Sequence, residues 1–186
     1  MKDWGFIEMN REFTLLSVID KFGTVKGKKA LHKIIYFTNL QTEDFLYRWN
    51  NYGPYSEEVQ QFYEDASIDN IIKVREESLG GSATQYNMSL DQSGKKMLEE
   101  LANNKNINHD RILSAINSSY ELLNGMSPRE MELLASVHYV TTYDPNQDSR
   151  RIWEIIDKLK PESNFSLEEV EGFLTILCNN HLIQNK

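Results

Sequence analysis

Phe45-Leu46-Tyr47-Arg48-Trp49-Asn50, followed by Tyr52-Gly53-Pro54-Tyr55-Ser56-Glu57-Glu58, places a strand, a turn and a helix start in one short stretch. Phe45, Tyr47 and Trp49 alternate with Leu46, Arg48 and Asn50, so the three rings share one face of an extended chain. Gly53-Pro54 punctuates a turn. Ser56 is a good N-cap, and Glu57 and Glu58 suit the positive end of a helix running to about Asp65.

On the N-terminal side the pattern is helical. Arg11–Phe22 spaces Phe13, Leu16 and Ile19 or Asp20 near the helical repeat, and Gly23 stops it. Leu31, Ile34, Ile35 and Thr38 follow the i, i+3, i+4, i+7 rule, predicting a helix from about Lys28 to Leu40. If that helix starts at Lys26, then Lys26, Lys29 and Lys33 fall opposite the apolar stripe. On the C-terminal side, Ile71–Arg75 and Thr84–Leu90 alternate as half-buried strands around Gly80-Gly81, a hairpin with a loose tip. The order helix, helix, strand, helix, strand, strand is that of a winged helix-turn-helix, and residues 91–104 add a helix leaving the wing.

Residues 105–186 read as helical. Asn108 or His109 starts a helix to about Asn124, and Ser127-Pro128-Arg129-Glu130 starts another to about Thr142. Residues 149–160 turn Ile152, Ile155, Ile156 and Leu159 inward until Pro161 ends the helix. Ser166-Leu167-Glu168-Glu169 repeats the capping-box pattern. The polar stretch Asn103–Asn108 is the best boundary between a winged-helix-like domain, 1–104, and a helical C-terminal part, 105–186. Residues 149–183 could form a second, degenerate helix-turn-helix with Leu182-Ile183 as a closing strand. The expected class is α+β, mostly helical, with a small antiparallel sheet.

Charge and composition narrow the function. The chain has 186 residues, a net charge of −8 and 40% hydrophobic content, which supplies a core without a membrane-spanning run. That balance argues against general affinity for nucleic acid or anionic lipid. Residues 1–50 carry eight Lys/Arg against six Asp/Glu, and the remainder twelve against twenty-two. Lys26, Lys28, Lys29 and Lys33 form the one local patch that suits an anion. The N-terminal residues lack the apolar run of a signal peptide, and one cysteine, Cys178, excludes an internal disulfide framework. A soluble cytoplasmic protein is expected.

Sites of chemistry are hard to find. Gly23-Thr24-Val25-Lys26-Gly27-Lys28-Lys29 has three residues between its glycines where a phosphate loop needs four, and Lys29 stands where the hydroxyl should be. His32, His109, His138 and His181 have no metal-ligand spacing. His138, with Leu134 and Val137 nearby, reads as a core or interface histidine, and helix capping accounts for His109. Cys178 reads as buried and inert, and no serine lies in a nucleophile elbow. The expectation is no catalysis, no metal and no cofactor. Nine aromatic residues fall between Tyr36 and Tyr63. Phe37, Phe45 and Phe62 suit a core, whereas Tyr52 and Tyr55 flank a turn where an exposed ring would serve a protein interface.

Lys29-Ala30-Leu31-His32-Lys33-Ile34-Ile35-Tyr36-Phe37, the aromatic strand and Tyr52-Gly53-Pro54-Tyr55-Ser56-Glu57-Glu58-Val59 together resemble the SocA-like antitoxin domain called Panacea. The likeness covers about residues 12–101, including Tyr86-Asn87-Met88-Ser89-Leu90 and Gly94, which resembles the family's turn after that strand. Over the full length, Leu133–Val140 and Lys160-Pro161 resemble its YwgA-like branch. His32 stands where the family usually has Gln, and Ala30 makes that turn smaller. The resemblance implies an antitoxin or adaptor that binds a partner protein, a toxin or a client, and Tyr52, Gly53, Pro54, Tyr55 and Ser56 are the candidate partner surface. A winged-helix DNA-binding regulator is the alternative, although the helix before the hairpin offers Glu57, Glu58, Glu64 and Asp65 and no base. The hairpin itself sets Lys73 and Arg75 against Glu76 and Glu77. A nucleotide-handling enzyme with the lysines on phosphate is a further alternative.

Overall fold

Gly23 and Gly27 break the N-terminal half into two helices joined by a tight corner. A computed structural model describes residues 4–80, 83–143 and 148–184. The first helix, α1 (Trp4–Phe22), begins earlier than the periodicity predicts, and β1 (Val25–Lys26) follows it. Helix α2 (Lys28–Thr42) comes next, then the short strands β2 (Arg48–Asn50) and β3 (Gly53–Tyr55), and α3 (Glu57–Ile68). The hairpin β4 (Ile72–Gly80) and β5 (Ala83–Leu90) leads into α4 (Gln92–Ala102). Helices α5 (His109–Leu123), α6 (Pro128–Tyr143), α7 (Ser149–Leu159) and α8 (Leu167–Asn179) follow, with a 3₁₀ turn at Pro161–Ser163.

Two antiparallel sheets organise the strands: β1-β5-β4, and β2 with β3. The expected mostly helical α+β class with a small antiparallel sheet is present, and the expected order of elements gains two strands, β1 and β3. The strand that completes the wing sheet is β1, where Val25 pairs with Met88, and not the aromatic strand. Two residues are too few to carry a period-two signal. The aromatic stretch keeps its alternation: Phe45 is buried, Tyr47 and Trp49 are half-buried, and Leu46, Arg48 and Asn50 are exposed. Only its last three residues form a strand. They pair with Gly53–Tyr55, which return as β3 with Trp49 opposite Pro54. Thus Gly53-Pro54 lies in a strand, and the turn is at Asn51-Tyr52.

Three helices are buried on every side over long runs: residues 13–19 of α1, 30–38 of α2 and 131–138 of α6. A helix enclosed this way shows no polar stripe. Helix α5 covers α1 and α2, and α6 packs against α2, β3, α7 and α8. Lys33 therefore does not join an exposed basic face, because α2 has none at that position. The helix starts at Lys28 and Lys26 belongs to β1, so the grouping of Lys26, Lys29 and Lys33 on one helical face is also lost.

Capping follows the sequence closely. Ser56 caps α3 through the Val59 N–H, and Ser166 and Glu169 form a full capping box on α8. Gly94 lies in α4, not in a turn, and a Cβ there would stand 2.2 Å from the Ile71 carbonyl oxygen. Ile152 and Ile156 point inward as expected, Ile155 is half-buried and Leu159 is exposed. Cys178 is half-buried rather than buried. Leu182-Ile183 form no strand, so the C-terminal helix pair lacks the element a second winged unit requires. Gly81, the middle of the expected loose tip, lies outside the described residues.

Candidate interaction site

The Tyr52–Ser56 segment is mostly interior, which corrects its role as a surface. Gly53, Pro54 and Ser56 are buried, Tyr55 is half-buried, and Tyr52 alone is exposed. Gly53 has φ +86°, a region favouring glycine, and a Cβ there would stand 2.8 Å from Ser136 Oγ. Its neighbours explain the fit. Lys33 Nζ donates to the Pro54 carbonyl at 2.7 Å, and Lys160 Nζ pairs with Glu132 Oε1 at 2.7 Å. Both lysine ammonium groups border the same glycine, at 3.7 and 3.3 Å from that hypothetical Cβ.

Two buried lysines thus lie close together, and the carboxylate beside them, Glu132, pairs with Lys160. Burial, then the Lys160 charge, pushes Lys33 down to about 7, and burial also lowers Lys160 although Glu132 opposes it. A surplus of positive charge in a closed interior is relieved by releasing a proton, and Lys33 is the group placed to do so. The hydrogen bond to Pro54 survives deprotonation, because a neutral amine still donates. The cluster is a clamp that fastens the β2–β3 hairpin to α2, α6 and the end of α7.

Histidines reinforce the clamp. His32 stacks on Tyr55 at 4.7 Å between centroids, and its Nδ1 accepts from the Ser56 N–H at 3.4 Å. His138 Nδ1 lies 2.7 Å from the Tyr36 hydroxyl, linking α6 to α2. Burial lowers both imidazoles to about 4, so both are neutral near pH 7. His138, read from the sequence as a core or interface histidine, is buried in the core. His109 begins α5 beside the actual cap, Asn108, with its ring edge-on to Phe13.

The remaining lysines are exposed. Lys29 Nζ sits 3.4 Å from the Tyr52 ring centroid and Lys28 Nζ 4.3 Å from that of Tyr63. Lys26, Lys28 and Lys29 line a cavity of about 570 Å³ with Tyr63, Tyr86 and Pro128. The structure brings these three together and separates Lys33 from them.

Sequence reasoning touched Lys160 and Ser136 only inside the stretches that carry the family likeness, and gave no role to them or to Glu132. A signal existed for one: Ile152, Ile156 and Lys160 recur every fourth residue, so Lys160 continues the buried face of α7. Glu132 and Ser136 lie in a helix enclosed all round, where spacing carries no information.

Another concavity, of about 660 Å³, lies between α1 and α3. Its floor includes Phe45, Phe62, Ile71 and Met97, and its rim carries Glu8, Glu12, Glu57, Glu58, Asp65 and Asp69 with, among the described residues, one base, Arg11. Arg11 Nη2 is held at 3.1 Å by Glu58, and burial, then the adjacent Glu8, raises Glu12 above the ordinary carboxylate value. Among the described residues no helix is long and apolar enough to cross a membrane. Compared with family models and with curated proteins, the sequence matches none of either.

Proposed function

We propose that this chain is a non-catalytic protein-interaction module of the antitoxin or adaptor type, which captures a toxin or client protein in the cytoplasm. The observation that carries the reading is the character of α3. It is the helix preceding the wing hairpin, its exposed residues include Glu57, Glu64 and Asp65, and it contains no Lys or Arg. A helix of that sign repels phosphate and attracts a cationic protein surface, raising encounter rates and excluding acidic competitors. The likeness to the SocA-like antitoxin domain supports the same reading. The lone cysteine suits a reducing compartment.

A DNA-binding regulator is the second reading. It is favoured by the β1-β5-β4 sheet with its projecting hairpin and by the exposed Lys26, Lys28 and Lys29 beside it. Contact would have to come from that ridge rather than from α3.

A tagged pull-down from host lysate, split into nuclease-treated and untreated halves, separates the two. A stoichiometric protein that survives nuclease is the expected result. Specific DNA with no protein partner overturns the proposal and promotes the regulator.

A further inference from the structure

The groove between α1 and α3 combines an apolar floor with acidic walls that run in helical register. On α3, Glu57, Gln61, Asp65 and the capping Asp69 recur every fourth residue and all line the groove. At about 1.5 Å per residue that row extends roughly 18 Å, about three helical turns. Glu8 and Glu12, one turn apart on α1, form the facing wall. Arg11 and Arg48 neutralise only one end, through Glu58 and Glu57. Glu8, Asp65 and Asp69 stay exposed, and among the described residues no lysine lines the groove. Between the walls, Phe62, Ile71 and Met97 are half-buried and face the open space.

We propose that this groove is the docking site for an amphipathic helical segment of the partner protein, one whose apolar anchors are flanked by Lys or Arg. Apolar side chains at i, i+3 or i+4 and i+7 would lie along the floor, as in other helix-in-groove complexes. The flanking cations would meet Glu8 and Glu12 on one side and Asp65 and Asp69 on the other. A cation there also relieves the repulsion between Glu8 and Glu12. An acidic partner is repelled by these walls, and a purely polar one gains nothing from this floor.

The proposal rests on the partner-binding reading, and its test is kept separate from it. The probe is a synthetic Lys/Leu amphipathic peptide of about three turns, compared with a version in which Gln replaces every Leu and one in which Glu replaces every Lys. Binding to the full chain is measured by calorimetry. The Lys/Leu peptide should bind, and either replacement should weaken it about tenfold or more.

Paired Glu8→Lys and Asp65→Lys should cause a loss of similar size. Paired Glu121→Lys and Glu154→Lys, exposed positions outside the groove with the same net charge change, should change affinity less than about threefold. Equal losses from both pairs, or equal binding of the Leu and Gln peptides, would mean that only bulk charge is at work and would overturn the proposal. If the lysate pull-down yields a protein whose capture ignores Glu8→Lys and Asp65→Lys, the groove assignment fails while the partner-binding reading stands. If it yields DNA alone, the reading itself fails.

Discussion

At the scale of single residues, Gly53 is constrained twice over: by a positive φ and by Ser136 Oγ at 2.8 Å from any Cβ. Gly53→Ala should cost about 2–3 kcal/mol, read as a shift in the chemical denaturation midpoint. Adding Ser136→Ala should recover part of it, since the backbone strain remains when the clash is gone. Tyr55 is half-buried against His32, so Tyr55→Ala should cost about 2 kcal/mol rather than be silent, and would weaken partner capture only through loss of structure. The two buried histidines set the acid limb of stability. Unfolded imidazoles take up protons near pH 6.5, whereas folded His32 and His138 do so only near pH 4. Unfolding therefore binds protons in that window, and stability falls as pH drops through it, by on the order of 3 kcal/mol per histidine at its lower end. His138→Gln, which can still hydrogen-bond Tyr36, should flatten the slope by about half when denaturation midpoints are measured across the window.

At the scale of elements, α2 shows why an internal helix hides its chemistry. Its apolar face was legible in Leu31, Ile34, Ile35 and Thr38, all buried. Lys33 looked like a solvated base because three nearby lysines are so, but α2 is covered on both sides and Lys33 points at the hairpin. A sequence shows which residues are apolar and cannot show that a polar one has been given a buried partner from another helix. The same limit hid Glu132 in α6. Caps, by contrast, act within a few residues, and Ser56 and Ser166 were legible for that reason. The Lys33 proton provides a check. Folded Lys33 releases it near pH 7, whereas an unfolded lysine holds it to about 10.5, so stability should rise with pH between those values. Lys33→Met should remove most of that rise, leaving the part that belongs to Lys160, which burial also lowers. It should also lower stability at the alkaline end by about 1–2 kcal/mol, because the Pro54 carbonyl loses its donor. Persistence of the full rise in the variant would assign it to another group.

At the scale of the whole molecule, the boundary suggested by Asn103–Asn108 meets packing that runs straight across it. Ile112, Ala115, Ile116 and Leu123 of α5 are buried where that helix covers α1 and α2, and Thr38 Oγ1 bonds Ser119 Oγ at 3.0 Å. Farther along, α6 supplies His138 to Tyr36 and Ser136 and Glu132 to the clamp around Gly53. Ile112, Ile116 and Leu123 alone, at about 1.5–3 kcal/mol each, match much of the about 5–15 kcal/mol that holds a domain folded. Residues 1–104 produced by themselves should therefore keep helical far-ultraviolet dichroism but lose cooperative thermal unfolding and bind a hydrophobic dye. Supplying 105–186 as a separate chain should restore the transition, because the interface between the halves is made of the same buried side chains. A sharp transition of 1–104 alone, within a few degrees of the full chain, would show that the wing half carries its own core and that the clamp around Gly53 is dispensable for it.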